Sequence, residues 1–286
     1  MRIRQSNLFQ PKSRLTYASP DDPLTKRLVI EAIERATGRP KLERLYREVQ
    51  TIASSPVDIW DTVLAKLAIR LDYDEQQLAK IPKLGPLVFI ANHPFGVVDG
   101  LILGTLLSRV RSEFFVLVNE VLCRDETMNE FLLPIDFRET REAMRTNIAT
   151  KQETLRRLHE GQALGIFPAG GVSTAPRKFW KAAEDLEWKR FVAKVIQQTE
   201  ATVVPIYVHG RNSRLFQMAS QVSLSLRLSL LLNEVRNKIG REISLSIGDP
   251  IAYQQIAHLK DRQALLDHLR EVTFGLADAT TSSNTQ

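Results

Sequence analysis

Short apolar runs rich in β-branched and aromatic residues recur along the chain at 87–91, 114–119, 133–137, 163–167, 202–208 and 243–247. Runs of that length and composition read as strands. Between them lie longer stretches whose apolar positions repeat at helical spacing, the clearest at 141–159 and 188–199. Strand and helix in alternation predict an α/β architecture: a mixed, largely parallel sheet flanked by helices. Ahead of this pattern, the sequence from about Pro23 to Leu71 reads as helices. One helix spans 24–37 and stops at Gly38-Arg39-Pro40, a second spans 41–53, and a third begins near Val57, where Ser54-Ser55-Pro56 supplies a cap and a starting proline. They predict an N-terminal helical region over 1–80, which reads equally well as a docking subdomain or as part of the core. The α/β domain follows over 81–278. Residues 222–230 alternate like a strand, but 226–239 fit a helix, and helix is the reading taken. A last helix is predicted at 259–276. Residues 1–19 read as a loose arm and 279–286 as a flexible Ser/Thr/Asn tail.

Composition narrows the setting. The chain has 286 residues, 43% hydrophobic and 25% charged, enough apolar material for a sizeable core and too little charge for a disordered chain. The formal net charge of +6 favours anionic partners, whether lipid headgroups, phosphorylated co-substrates or nucleic acid. No apolar run approaches the roughly 20 residues of a spanning helix. The start, Met1-Arg2-Ile3-Arg4, lacks the apolar centre of a signal peptide. A cytoplasmic protein that visits the inner face of an anionic membrane without crossing it is the expectation. The sole cysteine, Cys123, excludes an internal disulfide and a cysteine-based zinc site, and its neighbours match no nucleophile motif, so a packed or surface thiol is expected.

Three polar junctions follow predicted strands, the favoured position for a site in this architecture. The first is Asn92-His93-Pro94-Phe95-Gly96-Val97-Val98-Asp99-Gly100. His93 is a natural general base, and Asp99, in the first turn of the next helix, could accept the Nδ1 proton and leave Nε2 free. Taken alone, the pair is more often a capped helix preceded by a loop histidine. The second is Phe167-Pro168-Ala169-Gly170-Gly171-Val172-Ser173, a glycine turn whose exposed amides could hold a phosphate or an oxyanion. The third is Val204-Pro205-Ile206, which runs into a basic loop. From Pro205 to Arg241 the basic residues are Arg211, Arg214, Arg227, Arg236, Lys238 and Arg241, against one acid, Glu234. That stretch suits a phosphate-bearing substrate, an anionic bilayer or simply a solvated basic face.

In this order, Asn-His-Pro, Phe-Pro-Ala-Gly-Gly and Val-Pro-Ile resemble the glycerolipid acyltransferase superfamily, which includes the 1-acylglycerol-3-phosphate acyltransferases. The likeness is greatest to its hemolysin-like, ornithine-lipid acyltransferase-like branch, through Asn92–Gly96, Phe167-Pro168 and Gly248-Asp249-Pro250-Ile251, and covers roughly residues 39–251. The resemblance implies a catalytic pair, His93 and Asp99, acting by general-base catalysis in membrane phospholipid synthesis. It implies substrate contacts from Asn92, Phe95, Gly96, Phe167, Pro168, Gly170, Gly171 and Ser173. The acyl donor would be acyl-CoA or acyl-carrier protein, used as co-substrate, with no bound cofactor and no metal. The acceptor would be a lyso-lipid, either lysophosphatidic acid or a lyso-aminolipid.

This sequence departs from the family pattern in two ways. Five residues, not four, separate His93 from Asp99. Ala169 and Val172 stand where the family has glutamate and arginine, so the usual acceptor-phosphate ligands are missing. Arg177 and Arg211 are the basic residues expected to substitute, with Lys178, Arg138 and Arg214 as further choices. The competing reading is a catalytically impaired lipid- or carrier-binding protein on the same fold. Nucleic-acid binding fits the charge, but no helix-turn-helix, aromatic RNA-binding or zinc motif accompanies it. A hydrolase would call for a Gly-x-Ser-x-Gly elbow, which is absent.

Overall fold

The computed structural model describes residues 16, 18, 23–53, 55, 57–124, 128, 130–174, 184–222 and 224–279. The helices are α1 (Leu24–Thr37), α2 (Arg39–Ile52), α3 (Ile59–Lys66), α4 (Glu75–Ala79), α5 (Val97–Val110), α6 (Arg141–His159), α7 (Arg190–Thr199), α8 (Arg214–Val222), α9 (Leu224–Ser229), α10 (Leu231–Lys238), α11 (Tyr253–Ile256) and α12 (Arg262–Ala279). The strands are β1 (Arg70–Asp72), β2 (Leu87–Ala91), β3 (Phe114–Asn119), β4 (Leu132–Ile135), β5 (Ala163–Ile166), β6 (Thr202–Val208) and β7 (Glu242–Ile247). They form one seven-stranded sheet in the order β1-β7-β6-β2-β5-β3-β4. Neighbours run parallel except β6 and β7, which are antiparallel.

The sheet separates two cores, and the central strand shows why its sequence is unbroken apolar. Leu87, Phe89 and Ala91 point into the layer holding α3, α5 and α10. Val88 and Ile90 point into the opposite layer with α7 and α12. All five are buried, as a strand covered on both faces must be. β7 behaves differently. Ile243, Leu245 and Ile247 enter the core while Ser244 and Ser246 stay half-exposed, the alternation of a strand covered on one face only.

Local chemistry sets the ends of the helices. Gly38 closes α1 with φ +121° and its carbonyl opens α2, whose Pro40 sits in the first turn, where a missing N–H costs nothing. The second helix therefore starts at Arg39, before the breaker is passed, rather than at Lys41. Thr140 caps α6 by accepting from the Ala143 amide (3.1 Å). At the amino edge of the sheet, buried Arg111 donates to the carbonyls of Pro82 (3.1 and 2.7 Å), Gly85 (2.6 Å) and Gly161 (2.9 Å). One guanidinium thus ties the end of α5 to the turns that lead into β2 and β5.

Residues 57–80 do not stand apart from the sheet. Ile59, Trp60, Leu64, Leu67 and Ile69 belong to the main core, and Trp60 lies against Gly104 of α5. Residues 70–72, which carry no strand pattern of their own, pair with β7 as its outer neighbour. The ambiguous 222–239 stretch is helical, as α8, α9 and α10. The expected arm at 1–19 and tail at 279–286 lie almost wholly outside the described residues. No helix among the described residues is long and apolar enough to cross a membrane.

Candidate active site

The carboxyl end of β2 carries the first junction. Beyond Ala91, Asn92 extends the strand's pairing through its side chain: its Nδ2 donates to the Val208 carbonyl (3.0 Å) and its Oδ1 accepts from the Val208 amide (2.7 Å). Asn92 thereby fixes the end of β2 to the end of β6. The chain then turns through Gly96 at φ +87°, where a Cβ would stand 2.8 Å from Leu231 and 3.1 Å from Val172, so both the backbone angle and the space demand glycine. Phe95 is buried, its ring tip under Gly210 (φ +119°, with room for no Cβ) and beneath Lys238 Nζ, 4.1 Å from the ring centroid.

This turn brings His93 to the third residue of α5. Asp99 Oδ2 accepts from the Phe95 amide (2.7 Å) and the Gly96 amide (2.8 Å), and lies 2.9 Å from His93 Nδ1. Two amides already donate to that oxygen, which marks it as an acceptor, so Nδ1 donates to it and Nε2 is the nitrogen turned away from the carboxylate. Asp99 is fully buried. Burial pushes its carboxyl above the ordinary carboxylate range, while the His93 contact and the two amides pull it back down. The helix N-terminus adds a further favourable field. The His93 side chain keeps 15% of its surface, and Nε2 makes no hydrogen bond among the described residues. Its ring stacks on Phe167 at 4.0 Å between centroids and 14° between planes.

The second junction packs against the first. The Ser173 amide donates to the His93 carbonyl (2.7 Å). Asp185 holds both loops: its Oδ1 accepts from the His93 amide (3.1 Å) and the Ser173 hydroxyl, and its Oδ2 accepts from Trp188 Nε1 (3.1 Å). Pro168 gives its carbonyl to the Lys189 amide (2.9 Å). The turn at Gly170 has φ +67°, and the Gly170 amide closes it onto the Phe167 carbonyl (2.9 Å). The amides of Gly171 and Val172 donate to no acceptor among the described residues. Ala169 and Val172 are buried in apolar clusters, so the two departures from the family pattern fill space rather than face a ligand.

The cation at this loop comes from elsewhere in the chain. Arg227, on α9, donates from Nη2 to the Val172 carbonyl (2.6 Å), and the same nitrogen lies 3.6 Å from where a Cβ on Gly171 would be. Among the described residues it has no carboxylate partner, and burial lowers its guanidinium pKa. The other basic residues are placed differently. Arg177 and Lys178 lie outside the described residues. Arg138 is committed to Asp136 and Glu120. Arg211 and Arg214 are exposed around the start of α8.

Of the predicted site residues, His93, Asp99, Phe167, Gly170, Gly171 and Ser173 are brought together. Asn92, Phe95 and Gly96 shape the turn that does this. Sequence reasoning misses Asp185 and Arg227. Asp185 stands three residues before Trp188 at the entry to a helix, a weak signal. Arg227 is visible in the sequence only as part of a basic stretch. Two other groups are unsuited to act as nucleophile or base. Burial and Glu120 push the Cys123 thiol up to about 12, far from a reactive thiolate. His209 has Nε2 engaged by Ser246 Oγ at 2.7 Å.

The family model described as "Acyltransferase" matches residues 59–281. Two proteins named lyso-glycine lipid O-acyltransferase are similar to the chain. The one from Phocaeicola vulgatus is 27% identical over 212 residues, 70% of this chain and 71% of that protein. The one from Bacteroides thetaiotaomicron is 27% identical over 207 residues, 70% of this chain and 73% of that protein. The crystal structure of the 1-acyl-sn-glycerophosphate acyltransferase PlsC from Thermotoga maritima superposes with a TM-score of 0.49 at 13% identity, over 88% of this chain and 95% of that one.

Proposed function

The chain belongs to the acyltransferase family, and from that premise we propose that it moves a fatty acyl group from a thioester donor to the hydroxyl of an anionic lyso-lipid. The observation that carries the reading is the His93–Asp99 pair: an imidazole held through Nδ1 by a buried carboxylate at the carboxyl end of the central strand, with Nε2 making no hydrogen bond among the described residues.

The steps follow from that geometry. The acceptor hydroxyl approaches Nε2, and its oxygen attacks the thioester carbonyl carbon as its proton passes to His93. Asp99 steadies the imidazolium that forms. The tetrahedral intermediate collapses, the carbon–sulfur bond breaks, and the departing thiolate takes the proton back from Nε2. The ester and the free thiol leave. No acyl-enzyme is needed, because the acceptor supplies the nucleophile. The Gly171 and Val172 amides and the Arg227 guanidinium provide positive potential beside the histidine, suited to an anionic headgroup. A lyso-lipid whose headgroup is a carboxylate fits a loop without the glutamate and arginine that the family brings to a phosphate. The donor, acyl-CoA or acyl-carrier protein, arrives from the cytoplasm, and the acceptor from the inner membrane leaflet.

The test is thiol release from palmitoyl-CoA in the presence of lyso-glycine lipid, lysophosphatidic acid or a neutral lyso-lipid. Acceptor-dependent release that falls by at least about a hundredfold in His93→Ala is the expected outcome. Release without acceptor would identify a thioesterase instead. Unchanged release in His93→Ala would remove the histidine from the chemistry.

A further inference from the structure

Helix α8 has two faces of different character. Its inner residues, Phe216 and Ala219, pack with Val172 of the loop beside His93 and with Leu231, which also touches the Gly96 turn. Its outer face carries Leu215, Met218 and Val222, spaced i, i+3 and i+7, with 57%, 54% and 76% of their surface exposed. Single exposed apolar residues are ordinary, but a stripe of three along one short helix is not. The charge along this stretch is one-sided. Arg211 and Arg214 are exposed at the amino end of this helix. The one acid between Pro205 and Arg241, Glu234, is buried and taken up by the Ser213 amide (2.9 Å) and hydroxyl (2.6 Å). The stretch therefore shows basic and apolar groups to solvent and no carboxylate.

We infer that the outer face of α8 is the surface on which this protein docks to an anionic bilayer, with Leu215, Met218 and Val222 entering the headgroup region and Arg211 and Arg214 meeting anionic lipids. Charge complementarity and the apolar stripe choose a membrane over a protein partner. Position supplies the reason: one helix diameter, roughly 10 Å, separates the stripe from the loop beside His93, so docking brings the lyso-lipid's source next to the base. The inference rests on the lipid-acceptor reading above, but vesicle binding is read without turnover, so the two can fail separately.

The experiment is co-sedimentation with vesicles of phosphatidylcholine, with and without phosphatidylglycerol. The protein is expected to bind the anionic vesicles, less so as salt rises. Leu215→Gln/Met218→Gln/Val222→Gln should weaken binding about tenfold or more, with an unchanged melting temperature because all three positions are exposed. Arg211→Gln/Arg214→Gln should erase the preference for phosphatidylglycerol. Gln221→Lys, a gain on the same face, should tighten binding. Met144→Gln/Ile148→Gln, on the exposed side of α6, should leave it unchanged. The α8 triple variant should keep wild-type turnover on detergent-dispersed acceptor and lose it on vesicle-embedded acceptor. Wild-type vesicle binding by the triple variant would overturn the inference, as would loss of binding in the α6 variant instead. Concentration-dependent self-association that the triple variant abolishes, with vesicle binding intact, would assign the face to a second copy of the chain. Absent turnover with intact, α8-dependent vesicle binding would sink the acyltransfer chemistry and leave the docking surface standing.

Discussion

Asp99 illustrates how much one buried carboxylate can organise. One oxygen collects three donors, two from the turn that precedes its helix and one from the imidazole, so the same atom caps the helix and sets the histidine tautomer. Asp99→Asn removes the charge and keeps the contacts. An asparagine oxygen in the place of Oδ2 can still accept from both amides and from Nδ1, but a neutral amide no longer steadies the imidazolium that base catalysis creates. Turnover should fall by roughly 10²–10⁴-fold with little change in KM, while the melting temperature holds or rises, because a buried charge has gone. Steady-state kinetics beside a thermal melt check this, and normal kcat in the Asp99→Asn variant would refute a role for the Asp99 charge. Arg227 carries the second prediction. Losing a charge-assisted hydrogen bond costs about 1.5–3 kcal/mol, so Arg227→Gln should raise KM for an anionic lyso-lipid by roughly ten- to a hundredfold. KM for palmitoyl-CoA should not move, and Arg227→Lys should recover part of the loss. Equal effects on donor and acceptor would mean the arginine only holds the loop.

At the level of elements, α5 is pressed closely against α3. A Cβ on Gly104 would stand 2.1 Å from Trp60 Cε3 and 2.2 Å from its Cζ3, inside a fully buried cluster with Phe114 and Phe131. Alanine in a helix interior gains about 1 kcal/mol over glycine. Forcing a methyl against a buried ring costs about 1–3 kcal/mol, and here the ring cannot swing away. Gly104→Ala should therefore lower stability by up to about 2 kcal/mol, read as a shifted urea midpoint with an unchanged slope. A stabilised variant would show that α3 can slide. The elements also show what the sequence made legible. The central strands β2, β3, β5 and β6 were readable because both faces are apolar. β1 was not, because Arg70-Leu71-Asp72 holds a single apolar residue and becomes a strand only through its pairing with β7. The His93–Asp99 spacing was readable because a turn and one helical turn keep both residues local. Asp185 and Arg227 were not, since Asp185 lies 92 positions along the chain from His93 and Arg227 lies 55 from Val172.

For the whole molecule, the arrangement is asymmetric from edge to edge. The amino edge of the sheet is closed by backbone carbonyls gathered on Arg111, a purely structural device. The carboxyl edge gathers the histidine, the glycine turn, Arg227 and α8. This is where an open α/β sheet places ligands, because the strand ends splay there and leave room for loops. β7, antiparallel to β6, leaves Ser244 and Ser246 half-exposed, while the central strands β2 and β5 are buried along their whole length.

The three residue pairs joining β1 to β7 also decide how far the polypeptide can be trimmed. A chain begun at residue 81, where the helical preamble ends on paper, would strip β7 of its outer neighbour and uncover a row of unpaired main-chain groups. It would also remove Trp60, Leu64 and Ile69 from beneath α5. Bare strand edges beside exposed apolar surface recruit other copies, so such a fragment would precipitate rather than report on activity. The smallest autonomous piece has to begin before α3.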